Sequence, residues 1–131
     1  MSIQGVHLAL TVSDLSVSGP WYQKLFDGQK IFQGPDEVSE VEIYMIRDNL
    51  LLGLRQHAGT PPGDRFTHEH CGLDHLGMHV SDTGELERWR AKLDEAGLDH
   101  SGVVESPFGH HLNFKDPDGI ALEFFVPAPQ Q

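Results

Sequence analysis

Two histidines and one glutamate in this chain have the types and spacing of a metal site. His7 and His75 occupy the same place in two similar segments, and Glu123 is a lone carboxylate in the apolar run Ile-Ala-Leu-Glu-Phe-Phe-Val. Imidazole and carboxylate groups bind Fe, Mn, Ni, Zn or Co, and a cation offsets the cost of burying an unpaired carboxylate. Three protein ligands leave coordination positions for water or substrate. The alternative is a solvated glutamate with two structural histidines.

The two histidines belong to an internal repeat. Residues 5–14 align with residues 73–82 at an offset of 68. We therefore interpret the chain as two copies of one unit, residues 1–56 and 72–131, joined by a linker over residues 57–71 whose Gly and Pro content is typical of a loop. A length of 131 residues suits one domain made of these two modules.

Each module reads as a strand, a helix and three further strands. The first helix is expected to begin near Pro20, after an entry loop at 18–20, and the second to be capped by Ser81 or Asp82 and to end at Gly97. Alternation of apolar and polar residues predicts the strands. Beyond the first strand of each module, they cover residues 41–47, 50–56, 102–105, 110–115 and 120–126, with a short strand at 30–33.

Strand parity directs further polar residues to the face that does not pack on a helix. His79 lies two residues beyond His75 and is a candidate general base, with a hydrogen-bonded wall histidine as the alternative. His111 and Asn113 are candidate substrate contacts on a neighbouring strand. Arg55 is expected either to hold a substrate anion or to be an exposed charge at a strand end.

The charge of the chain excludes some classes of partner. With 20 acidic and 9 basic residues the net charge is −11, so we expect binding neither to nucleic acid nor to an anionic membrane surface. No apolar stretch approaches the roughly 18 residues of a transmembrane helix. The first residues lack the basic and apolar segments of a signal peptide, and one cysteine permits no internal disulfide. These features predict a cytoplasmic protein.

Four segments resemble the vicinal oxygen chelate superfamily, which includes glyoxalase I, bleomycin-resistance proteins and extradiol dioxygenases. They are Val-His-Leu-Ala-Leu-Thr-Val-Ser-Asp-Leu, Trp-Tyr-Gln-Lys-Leu-Phe, Leu-Asp-His-Leu-Gly-Met-His-Val and Phe-Lys-Asp-Pro-Asp-Gly-Ile-Ala-Leu-Glu-Phe. The resemblance implies an α+β fold in which two βαβββ modules form a cupped mixed sheet with the helices on its outer face. Carried over residue by residue, it assigns the metal positions to His7, His75 and Glu123.

The fourth metal position of the family has no ligand in this sequence. The uninterrupted offset places Arg55 opposite Glu123, whereas a shorter turn at Asp48-Asn49 would place Gly53 there. Neither residue binds a metal. The set of two histidines and one glutamate is therefore more similar to that of the family's dioxygenases and thiol transferases than to glyoxalase I.

The resemblance implies a metal-dependent enzyme that binds a small, oxygen-bearing substrate on a divalent metal. Dioxygenase, lyase or isomerase, and thiol-transferase chemistry all remain open, since the family shares a metal platform rather than one reaction. The alternative is a non-catalytic protein that binds a small molecule or antibiotic. A half-closed cup leaves exposed sheet edges, which predicts a homodimer. The sequence leaves open whether the cleft lies within one chain or is shared by two.

Overall fold

The repeat in the sequence corresponds to two compact units. The structure, a computed structural model, describes residues 1–48 and 50–129. The first unit is Met1–Arg65 and the second begins at Phe66, so the boundary lies within the predicted linker over residues 57–71.

Each unit has a helix and a four-stranded mixed sheet. The first unit consists of β1 (Leu8–Thr11), α1 (Leu15–Phe26), β2 (Gln29–Pro35), β3 (Ser39–Arg47) and β4 (Leu50–His57). The second consists of β5 (Leu76–His79), α2 (Thr83–Glu95), β6 (His100–Ser106), β7 (Gly109–Lys115) and β8 (Ala121–Pro127). The sheet orders are β1-β4-β3-β2 and β5-β8-β7-β6; the first strand is parallel to the last, and other neighbours are antiparallel. The predicted α+β class with two βαβββ modules is confirmed.

Helix α1 begins earlier than the sequence predicted. Asp14 caps it by accepting a hydrogen bond from Ser16 N at 2.9 Å, and residues 18–20 are helical rather than an entry loop. Pro20 lies in the second turn, where the helix lacks the backbone hydrogen bond that residue 20 would otherwise donate to the Ser16 carbonyl. The prediction was wrong because a capping Asp is the stronger start signal. The internal repeat indicated the correct start, because Asp82 is the equivalent of Asp14 at the offset of 68. Asp82 caps α2 by accepting a hydrogen bond from Glu85 N at 2.8 Å.

No described helix is long and apolar enough to cross a membrane. Helices α1 and α2 contain 12 and 13 residues, whereas a bilayer requires about 20.

Alternate residues of each strand pack on the helix. In the second unit the Phe124 ring stacks on Trp89 of α2 at 4.2 Å and on Phe114 at 5.3 Å, while Leu86 and Leu93 of α2 are fully buried. In the first unit the residues in the equivalent layer are also buried and include Tyr44, Leu52 and Leu54. The other face of each sheet, here called the helix-free face, therefore carries the intervening residues.

The first unit also buries a carboxylate beneath its helix. The Tyr44 hydroxyl donates to Glu42 Oε2 at 2.6 Å, and Lys30 Nζ lies 3.4 Å from Glu42 Oε1. Burial, reinforced by this carboxylate, raises the pKa of Tyr44, so the hydroxyl keeps its proton and its role as donor. A Cβ on Gly19 would lie 2.2 Å from Glu42 Oε2, so the glycine makes room for the pair.

Gly109→Ala is expected to destabilise the protein by at least about 3 kcal/mol. Gly109 begins β7 with φ 144°, and an added Cβ would lie 2.0 Å from the backbone oxygen of Val126. The control is Gly59→Ala, since a Cβ at Gly59 meets nothing within 4 Å. Urea unfolding should show the loss for Gly109→Ala and a change within about 0.5 kcal/mol for Gly59→Ala. Equal stability of the two variants would contradict this account of the β6–β7 hairpin.

Candidate functional site

Strand register identifies the residue of the first unit that matches Glu123. Ala9 pairs with Gly53 between β1 and β4, and Gly77 pairs with Glu123 between β5 and β8. Ala9 and Gly77 are equivalent at the offset of 68, so Gly53 is the structural counterpart of Glu123. Of the two alternatives for this position, Gly53 is therefore the one that the register supports, and Arg55 is not.

The offset between the two repeats changes from 68 to 70 before β3, not in the turn between β3 and β4. Tyr44 pairs with Leu52 and Phe114 with Leu122, so these strands repeat at an offset of 70. The spans Met45–Leu51 and Lys115–Ala121 have equal length, so the proposed shortening of the Asp48-Asn49 turn is not the cause. Asn49 itself lies outside the described residues. Two residues are instead added between the helix and the following strands of the second unit.

Arg55 has partners within its own unit. Its guanidinium pairs with Asp36 and lies 3.1 Å from Ser39 Oγ. Asp36 Oδ1 in turn accepts from Val38 N at 2.8 Å and Ser39 N at 2.7 Å, which closes the turn between β2 and β3. The Arg55 side chain is half-exposed, so contact with a substrate anion would have to compete with Asp36.

Two rows of residues cross the helix-free face of the second sheet. The register pairs form one row of Gly77, Glu123 and Asn113. The adjacent row is His79, Phe125 and His111, with the Phe125 ring 5.1 Å from the His79 ring and 4.9 Å from the His111 ring. The alternation of residues along each strand thus places the polar residues of both rows on one face of the sheet.

The Glu123 carboxylate lies beside the His75 imidazole, above Gly77. The distance from Glu123 Oε1 to His75 Nε2 is 4.0 Å, and the Glu123 side chain is 15% exposed. A Cβ on Gly77 would lie 3.5 Å from Glu123 Oε1, so the glycine leaves open space around this oxygen. Asp74 Oδ1 lies 2.6 Å from His75 Nδ1 and thereby directs Nε2 towards Glu123.

His111 contacts the other oxygen of the same carboxylate. Its Nδ1 lies 3.1 Å from Glu123 Oε2, and its Nε2 lies 2.5 Å from Ser106 Oγ. The Glu123 carboxylate therefore lies within 4.0 Å of two imidazole rings, those of His75 and His111. Both ring nitrogens of His111 have protein partners, whereas the expected role was a substrate contact.

A groove of about 720 Å³ lies beside this pair within the second unit. Its lining includes His75, Glu123, Asn113, Ser101, His100 and Lys115. This volume is within the usual range for small-molecule sites. Asn113 is exposed here and adjoins Glu123 across the β7–β8 ladder, whereas His79 lies one row away against Phe125.

His7 belongs to the first unit, where it is exposed and directly precedes β1. His75 has the same position before β5, as the repeat predicted. Among residues 1–48 and 50–129, no three His, Cys, Asp or Glu side chains form a group that could hold a metal ion. The second unit by itself thus presents His75 and Glu123 as a pair of potential ligands.

Sequence reasoning missed Asp74 and Ser106. The signal for Asp74 was present, since an acidic residue directly before a candidate ligand histidine is well placed to orient its ring. Ser106 gave no such signal, because its contact with His111 depends on the tight β6–β7 hairpin and not on spacing along the chain.

The chain is similar to one solved structure and to one longer protein. A glyoxylase/bleomycin resistance protein/dioxygenase domain from Frankia sp. EAN1pec is 34% identical, with a TM-score of 0.88 over 97% of this chain and 100% of that one. A protein named as a ring-cleaving dioxygenase, MhqA of Bacillus subtilis strain 168, is 27% identical over 99 residues. That match covers 76% of this chain but 28% of MhqA, so the chain spans about a quarter of that relative.

Two more distant structures share the fold alone. A variant of the fosfomycin resistance protein FosX from Listeria monocytogenes, complexed with Mn(II) and 1S,2S-dihydroxypropylphosphonic acid, is 17% identical, with a TM-score of 0.72 over 97% of this chain and 93% of that one. TnmS3, an antibiotic-binding protein from Streptomyces sp. CB03234, is 23% identical, with a TM-score of 0.75 over 98% and 99% of the chains.

A sequence model of one protein family matches nearly the whole chain and not only one module. It covers residues 5–124, from the start of the first repeat to the middle of β8. This chain belongs to the Glyoxalase/Bleomycin resistance protein/Dioxygenase superfamily.

Proposed function

We propose that this chain is a metal-dependent enzyme that acts on a small, oxygen-bearing molecule. The observation that carries the proposal is the largely buried Glu123 carboxylate facing His75 Nε2 at 4.0 Å, above Gly77. An anion in this position is stabilised when a cation binds between it and a neutral imidazole. We assign His75 and Glu123 as two ligands and His7, from the first unit, as the third.

The residues present fit a divalent ion. Asp74 holds His75 Nδ1, so the other nitrogen is free to act as a ligand, which is the usual arrangement of a metal-binding histidine. Two imidazoles and one carboxylate suit Fe, Mn, Ni, Zn or Co. FosX, which shares the fold, has been crystallised with Mn(II). When bound, such an ion stabilises negative charge that develops on substrate oxygens.

The chain's own residues would orient the substrate beside this site. The Asn113 amide adjoins Glu123 and lines the groove, so it is placed to hydrogen-bond a substrate oxygen. His79 is exposed on the helix-free face, and we propose it as the group that accepts a proton during the reaction. Lyase, dioxygenase and thiol-transferase reactions are all compatible with this set of groups.

The second candidate function is binding of a small molecule or antibiotic without catalysis. It is favoured by the groove of about 720 Å³ in the second unit and by the fold shared with the antibiotic-binding TnmS3. The acidic surface of the chain would suit a cationic ligand.

Metal analysis separates the two functions. Protein purified without chelator, then titrated with Mn²⁺ in a calorimeter, should bind about one ion per chain and lose thermal stability when EDTA is added. Turnover of a panel of catechols, epoxides and 2-oxo thioesters should then require the ion. A chain that binds no divalent metal, yet binds a small molecule from an antibiotic panel, would favour the second function.

We also propose that the protein is a homodimer. Strands β1 and β2 form the edges of the first sheet and β5 and β6 those of the second, and exposed edges favour pairing with another chain. Ile31 and Phe32 on β2 are about half exposed, which adds apolar surface at one edge. Light scattering at micromolar concentration should give about twice the chain mass of 14.6 kDa. A mass of one chain would refute the dimer.

A further inference from the structure

We propose that Ser106 and His111 are positioning residues that hold Glu123 in its metal-binding orientation. The proposal rests on the proposed function, because it assigns a role to partners of a ligand. It departs from the substrate contact expected of His111 from the sequence.

The contacts form a hydrogen-bond chain that runs in one direction. An ionised Glu123 only accepts, so His111 Nδ1, at 3.1 Å from its Oε2, must carry the proton and donate. His111 Nε2 is then an acceptor in the neutral ring, and Ser106 donates to it at 2.5 Å. The backbone N–H of Phe108 donates to Ser106 Oγ at 3.2 Å. The network thereby assigns one tautomer to His111.

The β6–β7 hairpin fixes the position of Ser106, where this hydrogen-bond network starts. Ser106 pairs with Gly109 across the ladder, with two residues between them. The Phe108 carbonyl accepts from Ala128 N at 2.7 Å, which ties the hairpin to the end of β8. The His111 ring also packs on Phe125 at 4.9 Å. Neither the hydroxyl nor the imidazole can turn away without losing contacts.

The hydrogen bond from His111 determines which oxygen of the Glu123 carboxylate is available to a metal. Because Oε2 of Glu123 accepts from His111, the carboxylate presents Oε1 towards His75 Nε2 at 4.0 Å. A carboxylate held in this way does not have to be ordered when a cation binds. Residues that orient ligands typically contribute about 10-fold to 100-fold to metal affinity.

The test compares Mn²⁺ affinity and apo-protein stability for four variants. His111→Ala should weaken Mn²⁺ binding by about 10-fold to 100-fold and Ser106→Ala by about 10-fold. Ser106→Thr keeps the hydroxyl and should bind as the wild type does. The matched control is His110→Ala, the adjacent residue on β7, whose side chain points to the other face. Its Mn²⁺ affinity should be unchanged.

A second readout needs neither metal nor variant. Nitrogen-15 chemical shifts of the His111 ring in wild-type apo-protein should show a proton on Nδ1 and none on Nε2. A proton on Nε2 alone would overturn the proposal. Wild-type Mn²⁺ affinity in both His111→Ala and Ser106→Ala would also overturn it, while loss of binding in Glu123→Gln would leave the proposed function standing. Unchanged binding in Glu123→Gln would overturn both.

Discussion

Glu123→Gln is expected to remove most of the stabilisation that a divalent metal gives to the folded protein. Glutamine keeps the shape of the side chain and an oxygen that can accept from His111, but it lacks the charge of the proposed ligand set. Because partners that merely orient a ligand contribute about 10-fold to 100-fold, loss of the ligand itself should weaken Mn²⁺ binding by at least about 100-fold. The fold should be retained, since Glu123 lies on the helix-free face.

Melting temperatures with Mn²⁺ and with EDTA measure this loss. An ion at about 100 times its dissociation constant stabilises the native state by roughly 2.7 kcal/mol, which for this chain length corresponds to roughly 10 °C. The wild type should lose that increment in EDTA, whereas Glu123→Gln should show almost none. The matched control, Glu105→Gln, changes an exposed glutamate of the same sheet and should respond as the wild type does. An equal response of Glu123→Gln and wild type would exclude Glu123 as a ligand.

His7→Ala is expected to weaken Mn²⁺ binding by a similar factor, at least about 100-fold, without lowering the stability of the apo-protein. His7 is exposed and precedes β1, so its removal costs no core packing. Calorimetric titration with Mn²⁺ and urea unfolding of the metal-free protein give the two quantities. Wild-type affinity in His7→Ala would show that the first unit supplies no ligand.

Mixed dimers determine whether each site is built from one chain or two. When His7→Ala and Glu123→Gln chains are unfolded together and refolded, a site shared between chains yields one intact site per mixed dimer. About a quarter of the wild-type Mn²⁺ stoichiometry should then return, because random mixing makes half of the dimers mixed. A site within one chain would return none. Each variant refolded alone is the control.

The strand positions of the candidate site residues could be predicted, because the repeat and the alternation of residues along a strand are visible in short segments of sequence. His7 and His75 directly precede equivalent strands, and parity placed Glu123 on the helix-free face. Parity also explains why Leu122 and Phe124 are buried. Each of these predictions needed only the periodicity of a strand and a comparison of two segments.

The remaining features depend on pairing between segments that are distant in sequence. Matching Gly53 to Glu123 required the register between β1 and β4 and between β5 and β8. The second unit has two additional residues before β6, and the alternation of apolar and polar residues along each strand does not reveal them. The Asp36 partner of Arg55 lies in the turn between β2 and β3, 19 residues earlier in the chain. The buried Glu42 is polar where the alternation along β3 predicts an apolar residue. The Ser106 contact with His111 likewise depends on a hairpin geometry that spacing alone does not show.

The most direct test of the account is a crystal structure of the protein grown with Mn²⁺, with anomalous scattering used to locate the ion. We expect one ion within about 2.0–2.3 Å of His7 Nε2, His75 Nε2 and a Glu123 oxygen. His7 is expected to come either from the same chain or from the partner. An ion bound elsewhere, or well-ordered density in which any of the three side chains points away from the ion, would contradict the proposed metal centre.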